Sequence, residues 1–139
     1  TIVSGLAENI FNGDLCIIDA NGQITPHTAT EVNNIGVFGG CSYTASDGSY
    51  VYSDYWPTGT VATEIVALVY DDPFIVFRAQ SAGSTVTGKS GFELNGTMAP
   101  GTASCKIIAL WDAPENAFGT NAVMEVLINE HLLKDNAGI

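Results

Sequence analysis

The sequence predicts an all-β fold, a single compact β-barrel or β-sandwich with long polar loops spanning residues 1–139. Three observations carry that expectation. Short apolar runs recur between turn signals, and almost no stretch has the 3.6-residue apolar period of a surface helix. The chain is 46% hydrophobic and 14% charged, which suits a globular protein. Its 139 residues suffice for one hydrophobic core without disulfides or metal.

Each element follows from its residues. "DLCIID" runs into "ANGQI", where Asn21-Gly22 supplies a tight turn with a positive φ available at glycine. "IGVFGGCSYT" faces "SYVYSDYW" across "ASDG", the strongest hairpin signal, and Gly39-Gly40 marks a bulge or a close backbone approach. "TEIVALVY" is apolar at both parities and reads as a strand covered on both faces, as does "PFIVFRAQ". "ATEIVALVY" is the best helix candidate, but its β-branched content argues for strand. "SCKIIALWD" alternates, with Cys105, Ile107, Ala109 and Trp111 on one side and Lys106 and Asp112 on the other. "AVMEVLINE" groups Met124, Val126 and Ile128 and turns Glu125 and Asn129 outward. "QSAGSTVTGKSG" and "NGTMAPGTAS" read as loops on composition.

Charge excludes whole classes of partner. Four Lys+Arg against fifteen Asp+Glu leave a formal net charge of −11, with no basic cluster. Phosphate is repelled, so neither nucleic acid nor an anionic membrane surface is an expected partner. No window approaches the ~18 apolar residues of a membrane span. "TIVSGLAENIFNGD" has neither the basic start nor the apolar stretch of a signal peptide, and without an initiator Met a native N-terminal arm has room to precede Thr1.

The residues capable of chemistry are dispersed. Asp71-Asp72-Pro73 places two carboxylates on opposite faces of a strand, where they cannot converge on one atom, and proline presets a turn. The expected role is a structural corner. "DANG", Asp19 to Gly22, lacks the alternate carboxylates and distal Glu of a calcium loop. Cys16, Cys41 and Cys105 sit in apolar runs without C-x-x-C spacing and read as buried thiols, with a disulfide, or a bridge to another subunit through the odd one, as the alternative. His27 and His131 stand in no signature of a thiol–imidazole nucleophile. No catalytic residue, metal ligand or cofactor is expected. The aromatic cluster Tyr43, Tyr50, Tyr52, Tyr55 and Trp56 lies among Ser, Asp and Gly, and serves either core packing or a protein or glycan contact.

Five phrases in order carry a resemblance: "GVFGGCSYTASDG", "DYWPTGT", "VYDDPFIVFRAQ", "TGKSGFEL" and "VLINEHLL". From about Asn12 onward the chain resembles the capsid decoration (cement) and head structural proteins of tailed bacteriophages. The resemblance implies a non-enzymatic protein on the virion exterior, assembled in the host cytoplasm. It would bind the major capsid protein of the mature shell, clamp neighbouring subunits, and act as a homo-oligomer, a trimer first of all. Candidate protein-interface residues are Tyr50, Tyr52, Tyr55, Trp56, Lys89, Leu132 and Leu133. The alternative is a glycan- or receptor-binding β-module resting on the Tyr/Trp cluster.

Overall fold

The computed structural model describes residues 1–27, 34–81, 104–129 and 131–134. Every regular element among them is a β-strand in an antiparallel sheet, so the fold is all-β. No helix among the described residues is long and apolar enough to cross a membrane. The chain divides into two compact units, Thr1–Asp72 and Pro73–Ile139, each with a sheet of its own.

The first unit contains β1 (Leu15–Ile18), β2 (Ile24–Pro26), β3 (Asn34–Ala45), β4 (Tyr50–Ser53) and β5 (Ala62–Tyr70). The 12-residue β3 is the hub. Its first part pairs with β1, its second part pairs with β4, and β5 runs along the opposite edge from Val37↔Tyr70 to Ala45↔Ala62. The "DANG" stretch is the β1–β2 turn. The Asp19 carboxylate accepts the backbone N–H groups of Asn21 (2.9 Å) and Gln23 (2.8 Å), and Gly22 adopts φ +76°. Those bonds hold the Asp19 carboxyl below its ordinary range. At "ASDG" the Asp47 carboxylate likewise accepts from Ser49 N–H and hydroxyl, at 2.9 and 2.6 Å.

Two bulges shape this sheet. Between Phe38 and Gly40 the register slips by one residue in β3, and between Ser42 and Thr44 it slips in β5, where Glu64 takes φ +53°. The first bulge lets Phe38 and Cys41, three positions apart, both point inward. Gly36 (φ +150°) and Gly40 (φ +128°) sit where neighbouring backbone leaves no room. A Cβ on Gly36 would overlap the carbonyl oxygen of Tyr70, and one on Gly40 would stand 2.9 Å from the Ser53 carbonyl oxygen.

Inside lie Ile2, Ile10, Cys16, Ile24, Phe38, Cys41, Tyr43, Trp56 and Ala62. Trp56 meets the Tyr43 ring edge-on (centroids 5.2 Å, 72°). Its backbone is tied to Ile10 by two hydrogen bonds, at 2.8 and 3.0 Å. The Trp56 indole N–H finds no acceptor among the described residues, so the ring acts through contact area rather than as a polar anchor. The N-terminal segment ties β2 to β5: Ile24 N–H donates to Thr1 O (2.7 Å), and the Thr1 hydroxyl donates to Ile65 O (2.9 Å).

The second unit contains β6 (Phe77–Gln80), β7 (Cys105–Leu110) and β8 (Val123–Ile128) in the order β6-β8-β7. Met124, Val126 and Ile128 are buried together with Ile107 and Cys105, as their alternation requires. The expected grouping of Ala109 and Trp111 with Cys105 is corrected. A register slip between Ile107 and Ala109 inverts the parity, so Leu110 pairs with buried Met124 while Ala109 pairs with Glu125. Arg78 also pairs with Glu125, and its guanidinium lies 4.4 Å from the centre of the Trp111 ring. Asn116 joins the β7–β8 connection to the sheet, donating to Trp111 O (2.6 Å) and Val123 O (2.8 Å) and accepting from Val123 N–H (3.0 Å).

"LVYDDPFIVFRAQ" is the passage from the first unit to the second. β5 ends at Tyr70, Pro73-Phe74 forms a turn, and β6 begins at Phe77 in the other sheet. The expectation that the flanking strands are covered on both faces is corrected. β5 alternates half-buried with exposed, and so does β6. "QSAGSTVTGKSG" beyond Ser81, "NGTMAPGTAS" before Ser104, and the end of "HLLKDNAGI" lie outside the described residues.

The close approach at Gly36 has a measurable consequence. Gly36→Ala is expected to destabilise the protein by about 3 kcal/mol or more in urea unfolding. Gly39→Ala should cost about 1 kcal/mol or less, because the first atoms it meets belong to the movable Tyr70 ring. Equal costs at the two positions would contradict the described packing.

Candidate protein-contact face

The hub position of β3 determines what its outer face carries. After the bulge, β3 turns Cys41 and Tyr43 inward and leaves Gly40, Ser42 and Thr44 on the outer side, all small. β4 turns Val51 toward the core and Tyr50 and Tyr52 outward. β5 turns Ile65, Ala67 and Val69 toward the core and Val66, Leu68 and Tyr70 outward. The register aligns these rows: Tyr52 lies opposite Ser42, which lies opposite Val66; Tyr50 lies opposite Thr44; Gly40 lies opposite Leu68.

The result is a groove along β3, floored by small residues and walled by two tyrosines on one side and Val66, Leu68 and Tyr70 on the other. The five wall residues are 40–70% exposed. The flanking strands stand about 10 Å apart across β3, wide enough for one extended chain between the walls. Gly39, Tyr52, Leu68, Val69 and Tyr70 enclose a recess of about 230 Å³ at one end. A second recess of about 370 Å³, between the β3–β4 turn and the start of β5, is lined by Thr44, Ala45, Ser46, Gly48, Val61, Ala62 and Thr63, none of which titrates.

The structure divides the aromatic cluster. Tyr50 and Tyr52 belong to the groove wall. Tyr55 stands outside it, half-exposed and stacked on Phe11 (centroids 5.9 Å, 19°). Trp56 is corrected as an interface residue: at 0% exposure it is a core residue, because the Ile10 bridge and the Tyr43 contact draw it inward. Lys89 lies outside the described residues. Leu132 and Leu133 are exposed in the second unit, just after His131, whose Nδ1 accepts the Leu133 N–H at 3.1 Å. Missing from the sequence reading were Val66, Leu68 and Tyr70. Their alternation with Ile65, Ala67 and Val69 is hidden because both parities of β5 are apolar, and only the small residues facing them on β3 betray an open side.

Burial favours the protonated form of the Cys16 and Cys41 thiols. No disulfide joins Cys16, Cys41 and Cys105, and all three are buried. Burial, with the Asp14 charge adding, pushes the Cys16 thiol up to about 12. Burial also pushes Cys41 up, and its S–H points to Tyr55 O at 3.5 Å. Among the described residues no three His, Cys, Asp or Glu side chains cluster as metal ligands do. Asp71 and Asp72 are exposed at the unit boundary.

Comparison with protein-family models, with curated proteins and with solved structures finds no match for this chain.

The Cys16 environment ties stability to alkaline pH. The unfolded thiol ionises near 9 while the folded one holds its proton to about 12, so between these values the folded state binds more protons and loses stability as pH rises. The expected difference between wild type and Cys16→Ala is an extra downward slope in the wild type of about 1.4 kcal/mol per pH unit above pH 9. Parallel pH profiles in urea unfolding would show that Cys16 is not held in this way.

Proposed function

We propose that this is a non-enzymatic structural protein of a virion, binding the exterior of a mature capsid and stabilising contacts between major capsid subunits. The observation that carries the reading is the open β4–β3–β5 face. It presents Tyr50, Tyr52, Val66, Leu68 and Tyr70 in register to solvent, on a sheet whose opposite side is a packed core. An exposed apolar face of this extent, with tyrosines beside small residues, is the usual composition of a protein-contact surface. The ordered phrases of the sequence give the capsid its place in the reading. A shell offers many equivalent sites, and attachment through several linked copies turns modest contacts into firm binding. Self-association falls to other surfaces, with exposed Leu132 and Leu133 of the second unit the first candidates.

A glycan-binding role is the second reading. It loses Trp56 to the core and keeps Tyr52 and Tyr70 beside the 230 Å³ recess. A glycan array with hits abolished by Tyr52→Ala would favour it over capsid binding.

The direct test is co-sedimentation with expanded heads stripped of the protein. Saturable binding is expected at a copy number matching the symmetry sites of the lattice. Tyr52→Ala with Leu68→Ala should weaken binding at least about tenfold without unfolding the protein, since both side chains already stand in solvent. Heads with bound protein should rupture at higher temperature than bare heads. Absence of binding, or equal rupture temperatures, would overturn the proposal.

A further inference from the structure

The distribution of charge between the two units is more uneven than the total suggests. Thr1–Asp72 contain nine Asp and Glu and no Lys or Arg, while all four Lys and Arg side chains, Arg78, Lys89, Lys106 and Lys134, lie in Pro73–Ile139. The groove therefore sits on a unit with no Lys or Arg side chain. Carboxylates border both of its ends. At one end Glu64 is exposed beside Thr44, whose hydroxyl donates to it at 2.7 Å. At the other, exposed Asp71 and Asp72 directly follow Tyr70, and exposed Asp54 follows Ser53 beside Gly40.

We infer that the groove takes an extended Lys/Arg-bearing polypeptide segment of a different protein. This rests on the protein-contact reading above and gives that contact its chemistry. Three features converge. The floor of Gly40, Ser42 and Thr44 lets a backbone lie close to β3. The walls offer tyrosine rings to cations and Val66 and Leu68 to the aliphatic stems of Lys and Arg. The bordering carboxylates receive the charged ends, and the same unit holds no Lys or Arg to compete for them. A second copy of this chain is disfavoured as occupant, because it would bring a chain of formal net charge −11 against a unit of the same sign. Nucleic acid is disfavoured for the same reason.

The test uses the full chain and fluorescein-labelled decapeptides of alternating Lys-Val, Lys-Ser and Glu-Val, read by fluorescence anisotropy. The Lys-Val peptide is expected to bind in 20 mM NaCl at least tenfold more tightly than either other peptide. Raising NaCl to 300 mM should weaken it at least tenfold. Tyr52→Ala, Leu68→Ala and the pair Asp71→Asn with Asp72→Asn should each weaken it at least fivefold, and Asp112→Asn in the second unit should leave it unchanged. Equal binding of Glu-Val, insensitivity to salt, or no binding of any peptide would overturn the inference. So would self-association abolished by Tyr52→Glu, which would make a second copy the occupant. Saturable binding to expanded heads that Lys-Val does not compete would leave the capsid reading standing and remove this inference. Lys-Val binding without head binding would do the reverse.

Discussion

The first unit depends on how closely neighbouring backbones approach β3. One strand must hold β1 and β4 end to end along one edge and β5 along the other, and a 12-residue strand of regular pleat and twist would carry its partners apart. Gly36 and Gly40 remove the obstacle, since the chain of Tyr70 and the carbonyl of Ser53 occupy the space where their side chains would be. The bulge beside Gly40 then resets the parity of the strand. Everything C-terminal to it, inward Cys41 and Tyr43 as much as outward Ser42 and Thr44, takes its side from that one extra residue.

The same constraint accounts for the groove. A strand paired on both edges has two faces to dispose of, and here the inner one receives Phe38, Cys41 and Tyr43 while the outer one, C-terminal to the bulge, keeps only small side chains. Larger residues on β4 and β5 rise on either side because their own inward positions are filled by Val51, Ile65, Ala67 and Val69. Apolar side chains in such an open row lose the favourable burial that a core would provide. Their exposure is therefore the most economical pointer to a partner, and the excess of Asp and Glu over Lys and Arg in the first unit indicates the sign of that partner's charge.

Turn chemistry made much of this fold legible in the sequence. Asn21-Gly22 and Ser46-Asp47-Gly48 mark the β1–β2 and β3–β4 turns, Gly39-Gly40 marks the bulge, and Pro73 marks the turn after β5. Alternation sufficed for β8, where Glu125 breaks the apolar parity. It failed for β5, whose two faces are both apolar, so a half-open strand looked fully buried. It failed again for β7, because the slip after Ile107 carries no glycine or proline to announce it. The candidate site was half visible. Tyr50 and Tyr52 follow from the hairpin, but Trp56 goes to the core through a long-range bridge to Ile10 that no local pattern encodes. The division at Asp72–Pro73 is likewise a matter of which strands pair, and pairing partners are not written in composition.

The central claim is that the outer face of β4, β3 and β5 is the surface this protein uses, and side-chain footprinting addresses it most directly. Hydroxyl-radical labelling would be compared between the free chain and the chain bound at saturation to expanded heads, with buried Tyr43 as the internal reference. Tyr52, Leu68 and Tyr70 are expected to lose most of their labelling on binding, while Tyr55 and Leu133 change less. Unchanged labelling of Tyr52 and Tyr70 in saturated heads would place the contact elsewhere and contradict the account.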